Sequence, residues 1–206
     1  MREVVGNQIA VIAKLDMDDG LPGSIWIDEA LRAAQLLDGD ATLDAIELTQ
    51  GSSVFKPMYL FRGDVPVKDF SRVMPPHMRM PIRLAGKWAM GNYPYQDLYM
   101  LDAARQFVPV MRNTKLVLLG GITNRDHLET GMREDFDFMA MGRALLREPD
   151  LVNKMISDPH TRSRCNHNNK YMVTVFGRTH CVLDPDQRYG PAVPSSARDL
   201  GLQQLS

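Results

Sequence analysis

Two short apolar runs in this chain end directly on glycine. Lys115-Leu-Val-Leu-Leu119 runs into Gly120-Gly121, and Phe136-Asp-Phe-Met-Ala-Met141 runs into Gly142-Arg143. Each glycine turn is followed by a segment with the pattern of a helix start. Glycine lets backbone approach a ligand closely and adopt positive φ. A helix N-terminus adds free N–H groups and the positive end of a dipole, which together suit a phosphate. Arg143 contributes a fork of donors matched to phosphate oxygens. A single Gly-Gly turn is equally well explained as a tight turn. Two in succession, one carrying Arg143, favour a phosphate-binding reading of Gly120, Gly121, Gly142 and Arg143. Lys14 closes an earlier apolar run, Ile9-Ala-Val-Ile-Ala-Lys-Leu15. A cation at the C-terminal end of a strand lies where the active sites of barrels and open α/β sheets lie; a solvated strand-end lysine is the plain alternative.

The elements that carry these residues alternate. Ile9–Leu15 reads as a strand buried on both faces. Ile27 to Leu37 has apolar residues at helical spacing, with Gly39 as terminator. Asp44–Thr49 is a second strand. The stretch from Gly51 to about Pro94 is too long to be structureless in a compact domain, and helix is expected within Val67–Ser71 and Ile82–Ala89. Tyr95 to Val110 reads as a helix. Lys115–Leu119 is the third strand. The helix after it is capped near Thr123-Asn-Arg-Asp126 and ended by Gly131. Phe136–Met141 is the fourth strand, followed by a helix broken near Pro149 and resumed through Leu151–Ile156. Beyond Pro185 the Gly-, Pro- and Ser-rich tail reads as disordered. Such alternation implies parallel strands with crossover helices. Periodicity alone does not choose between an open doubly wound sheet and part of a barrel, which needs eight units over about 250 residues.

Composition narrows the function classes. The chain has 206 residues, 44% of them hydrophobic, and a formal net charge of −1. This balance argues against a nucleic-acid partner and against polybasic membrane binding. No run reaches the roughly 18 apolar residues of a membrane-spanning helix, and residues 1–8 do not form a signal peptide. Cys165 and Cys181 are too few for a disulfide framework, so a cytoplasmic, reducing location is expected. Fourteen methionines read as flexible core filler.

The two glycine-ended units, Lys115–Thr123 and Asp137–Leu151, resemble the last two strand–loop–helix units of the NADH:flavin oxidoreductase (old yellow enzyme) family. Ile12-Ala-Lys-Leu-Asp-Met-Asp-Asp-Gly20 and Pro57-Met-Tyr-Leu-Phe-Arg-Gly-Asp64 resemble its fifth strand and the loop after its sixth. The similarity runs from about Val11 to Leu183. It implies an α/β fold, the C-terminal half of a TIM (β/α)8 barrel with four parallel strand–helix units. Residues 1–158 would form an FMN-binding half-barrel, and residues 159–206 an irregular tail. It further implies FMN as cofactor and NAD(P)H as reductant. Lys14 would lie at the N1–O2 edge of the flavin, and Gly121, Gly142 and Arg143 at its phosphate. The implied substrate is a small molecule with an activated double bond or similar acceptor.

Two departures shape the expectation. The family's first four strands, with their substrate-orienting pair and proton-donating tyrosine, have no counterpart here; Tyr59, Tyr93 and Tyr95 do not stand at the donor position. Many relatives hold an iron–sulfur cluster on four cysteines after the barrel. In the matching segment Asn168 and Tyr171 replace two of them, so no cluster is expected beside Cys165 and Cys181. A zinc site on Cys165, His167, His180 and Cys181 lacks zinc-finger spacing. The expected protein is therefore a truncated or split flavin oxidoreductase. The rival reading is a non-catalytic half-barrel that assembles as a homodimer or with a separately encoded N-terminal half. A half-barrel of the sugar-phosphate isomerase or aldolase kind shares the glycine turns but not the Met58–Asp64 loop or the cysteine tail.

Overall fold

Short apolar runs separated by helices of their own length produce a singly wound sheet. In the computed structural model, which describes residues 2–53 and 55–184, β1 (Ile12–Asp16), β2 (Ala45–Thr49), β3 (Lys115–Leu119) and β4 (Phe138–Ala140) form one sheet. Its order is β1-β2-β3-β4, and every pair is parallel. Between the strands lie α2 (Ile27–Gly39), the run α3 (Pro57–Phe61), α4 (Val67–Val73), α5 (Pro76–Met90) and α6 (Leu101–Ala104), and then α7 (Arg125–Arg133). After β4 come α8 (Arg143–Arg147) and α9 (Leu151–Ser157); a short α1 (Arg2–Val5) precedes β1.

Register decides which face each side chain occupies. Lys14 pairs with Glu47, Glu47 with Val117, and Val117 with Phe138, so these four share one face. The other face carries Ile46, Leu48, Leu116 and Leu118, all buried against Ala30 and Ala34 of α2 and Leu101 and Ala104 of α6. A doubly wound sheet covers both faces and reverses its strand order at a switch point. Here the order is sequential and the helices lie on one face. The fold is α/β, four parallel strand–helix units in the arrangement of one half of a (β/α)8 barrel.

Several expectations are corrected. β1 begins at Ile12 rather than Ile9 and is not buried on both faces: Ile12 is 58% exposed. It is an edge strand, and its Ile12 face is left without a helix layer among the described residues. The helix expected over Tyr95–Val110 reduces to α6 and a 3₁₀ turn at Val108–Val110. Leu98 adopts φ 53°, which no α-helix accommodates. Gly131 lies inside α7 rather than ending it, and a side chain there would strike the sulfur of Met139. Glycine at this point permits close helix–strand packing. The long stretch after β2 is largely helical, with α3 and α5 additional to or longer than expected. The expected disorder beyond Pro185 lies outside the described residues.

One buried acid fixes the helix layer to the sheet. Asp38, near the end of α2, accepts the backbone N–H groups of Arg112, Asn113 and Thr114 at 3.0, 2.8 and 2.7 Å. Burial raises its carboxyl pKa, but these three donors outweigh burial and hold it below the usual range. The turn before β3 is thereby anchored, and with it the position of the glycines that follow.

Candidate functional site

The strand C-termini open into one pocket of about 670 Å³. Lys14, Gly120, Gly121, Gly142 and Arg143 all line it. A parallel sheet delivers the ends of all its strands to one rim, so residues more than a hundred positions apart meet there. The volume lies in the range typical of small-molecule and cofactor sites.

The glycines divide into two kinds. Gly120 and Gly121 have φ of 101° and 75°, and a Cβ on Gly121 would lie 2.5 Å from Leu98 N and 2.8 Å from Gln96 O. The segment entering α6 packs against this turn, and that packing alone requires glycine. Gly142 is different. Its φ of −91° lies outside the left-handed region, and nothing lies within 4 Å of the Cβ position. Packing does not demand glycine there, and the space beside it is open. Gly142 caps α8, whose first N–H groups have no partner within the helix. The neighbouring α7 is capped by its own residue: Asn124 Oδ1 accepts the N–H of His127 at 2.9 Å.

Arg143 is held in place. Its Nη1 donates to Arg62 O at 2.8 Å and to Asn169 Oδ1 at 2.7 Å. Asn169 is 1% exposed and donates through Nδ2 to Arg62 O at 2.9 Å and Asp64 O at 3.0 Å. This clasp joins the loop after α3 to the tail. It concentrates backbone strain: Arg62, His167 and Asn169 adopt φ of 47°, 56° and 54°. Lys14 does not stand alone either. Its Nζ lies 3.0 Å from Glu47 Oε1, with the lysine side chain 67% exposed. The pocket therefore has an ion pair on its floor and a guanidinium on its wall.

His167 stacks on Tyr95, with centroids 3.4 Å apart and planes inclined by 10°. Burial, and then the Arg143 guanidinium, press the His167 pKa down to about 4, so the ring is neutral at pH 7. The Tyr95 hydroxyl lies 3.0 Å from Asp97 Oδ1 and 3.1 Å from Gly121 O. Burial foremost, with the Asp97 hydrogen bond, holds its phenol above the ordinary pKa. Asp97 also binds Arg162 at 2.5 Å, tying the tail to the glycine turn.

Sequence reasoning missed Glu47 and Asn169 as site residues, and weighed Tyr95 and His167 only to set them aside as proton donor and zinc ligand. A charge in the middle of the short strand Ala45–Thr49 was the available signal for Glu47. Asn169 had none, because long-range contacts place it. Among the described residues, no group of three or more His, Cys, Asp or Glu side chains forms a metal-binding arrangement. No described helix is long and apolar enough to cross a membrane.

No protein-family model matches the chain. Over 183 residues the chain is 41% identical to 4,4'-dithiodibutanoate disulfide reductase of Rhodococcus erythropolis. The match covers 89% of this chain and 45% of that relative, so the chain spans a little under half the relative's length. By its name, that relative is an oxidoreductase.

Proposed function

We propose that this chain carries the phosphate-binding side of an FMN-dependent oxidoreductase of the NADH:flavin oxidoreductase family. In this reading NAD(P)H is the reductant and a small disulfide or activated double bond the acceptor. The observation that carries it is the convergence of Gly142, Arg143 and Lys14 on one open pocket at the strand C-termini. The donor set fits a phosphate. Arg143 is pinned through one nitrogen, so its fork is preorganised. Beside it, the unfilled space at Gly142 lets an anion approach the first N–H groups of α8. Bound there, FMN would supply two-electron transfer between nicotinamide and acceptor. Lys14 stands at the far end of the pocket, where it would meet a ring rather than a phosphate, with Glu47 moderating its charge. The relative's name supports an oxidoreductase and brings disulfides into the substrate class.

FMN titration of wild type, Arg143→Ala and Lys14→Ala tests this, with the fold checked by circular dichroism. Loss of the guanidinium removes charge-assisted hydrogen bonds of roughly 1.5–3 kcal/mol, about ten- to hundredfold in affinity. Lys14→Ala is expected to lower the flavin's reduction potential more than it weakens binding. Equal affinity of Arg143→Ala and wild type would show the phosphate site to be misplaced.

A second reading rests on its own observation. The sheet face bearing Ile12 and Phe138 is open at its two edge strands, with these residues 58% and 50% exposed, while Ala45 and Val117 between them are buried. That favours a half-barrel completed by a second copy or by a separately encoded half. Colourless protein that self-associates would support it.

A further inference from the structure

Behind the Arg143 wall lies a second, much smaller cleft, of about 20 Å³, lined by both cysteines of the chain. Arg143, Leu146, His167 and Tyr171 line this cleft and the main pocket alike, so the two adjoin. We propose that Cys165 and Cys181 form a dithiol that exchanges with a small disulfide, closing an intramolecular disulfide and releasing two thiols. From the proposed function this borrows the disulfide as substrate class, and nothing concerning flavin.

Geometry supports the pairing. Cys165 is tied to the body through Ser163 Oγ, which accepts its N–H at 3.2 Å. Arg147 Nη1, on α8, donates to Cys181 Sγ at 3.8 Å. Burial foremost pushes the Cys165 thiol up, and the nearby Cys181 sulfur adds to this against the opposing Arg143 and Arg147 guanidiniums. Cys181 lies outside any helix or strand, just before a turn, so it can shift without breaking an element. The cleft has room for about one water molecule. Both cysteines are half-buried, so a disulfide reaches a sulfur from the open side, and the second thiol, on the same cleft, then attacks the mixed disulfide.

The roles follow from these surroundings. Burial disfavours a thiolate on Cys165, while Cys181 has the Arg147 guanidinium beside its sulfur, so Cys181 attacks first. Its thiolate bonds to one sulfur of RSSR, the substrate S–S bond breaks, and RS⁻ leaves and takes up the proton Cys181 released. Cys165 then gives up its proton and attacks Cys181 Sγ. The mixed disulfide breaks and the second RSH departs. Two protein thiols are oxidised and one disulfide is reduced by two electrons. An external dithiol restores the starting state.

The test uses the full chain, reduced and freed of reductant, without flavin or nicotinamide. It is incubated with 4,4'-dithiodibutanoate, quenched in acid and weighed intact by mass spectrometry. The expected product is a single species lighter by two hydrogens, with two thiols released per chain. Cys165→Ser should stop at one mixed disulfide and one released thiol. Wild type carrying an adduct on each cysteine, or remaining unreacted, would overturn the proposal. A chain that binds no FMN but closes the disulfide sinks only the flavin reading. A flavin-loaded chain that reduces the disulfide while both thiols stay unchanged sinks only this one.

Discussion

Among the residues of the site, glycine is the most informative type, because the same residue answers two different demands. At Gly121 the demand is internal: φ is 75° and backbone atoms of Gln96 and Leu98 occupy the Cβ space. At Gly142 φ is negative and the adjoining space is empty. Gly121→Ala is expected to cost about 1–3 kcal/mol in stability, through strain and overpacking. That lowers Tm by a few degrees or more for a chain of this size. Gly142→Ala should lower Tm less than Gly121→Ala, because no neighbour occupies its Cβ space, and weaken FMN binding by hindering the phosphate. Thermal melts paired with titrations check both; a Gly142→Ala chain that binds FMN normally would return that glycine to a plain turn role. The sequence placed both residues at the site but could not separate them, since the segment filling the space at Gly121 is about twenty residues away.

Among the elements, the end of β1 carries a strongly shifted carboxyl. Asp16 pKa is raised to about 7, by burial first and then by its hydrogen bond with Asp19, whose own pKa is lowered. A proton shared between the two carboxyls accounts for the opposite directions. A folded-state pKa above the unfolded value, 3.8, contributes stability that is complete below pH 3.8 and is lost as pH rises through about 7. Asp16→Asn is therefore expected to flatten the decline in stability between those limits, as read by urea midpoints across pH. An unchanged slope would mean that Asp16 ionises freely. The α5 helix makes another point about elements. Its apolar positions obey helical spacing, yet Leu84 and Trp88 are 81% and 88% exposed. Amphipathic spacing identifies the helix but does not guarantee that anything covers its apolar side.

For the molecule as a whole, the open sheet face is the dominant feature. Parallel sheets ordinarily have both faces covered. Here one face packs on helices while the other presents Ile12, Phe138 and the Lys14–Glu47 pair. Exposed apolar side chains beside strand edges promote association. Sedimentation velocity over a range of concentrations is expected to show self-association, weakened by Phe138→Lys. A monomer at every concentration would remove the assembly reading. In flavin binding the same open face matters, because contacts from one side only give less preorganisation than an enclosed pocket.

What the sequence by itself determined is local. Apolar runs ending in glycine, an Asn at a helix start and the proline break near Pro149 define strands, caps and stops through neighbours a few residues away. That was enough to read four strand–helix units and to place Lys14, Gly121, Gly142 and Arg143 at strand ends. Whether those units curl as a half-barrel or lie as an open sheet was not legible in periodicity, because strand order and helix side are properties of pairing between distant segments; only the family resemblance implied the half-barrel. Tertiary structure alone decided that Glu47 neutralises Lys14 and that Asn169 locks Arg143. It alone seated His167 on Tyr95 and set Cys165 and Cys181 on one cleft. The physical reason is common to all four: each contact joins residues that neither periodicity nor spacing relates, and chain folding creates the neighbourhood in which they act.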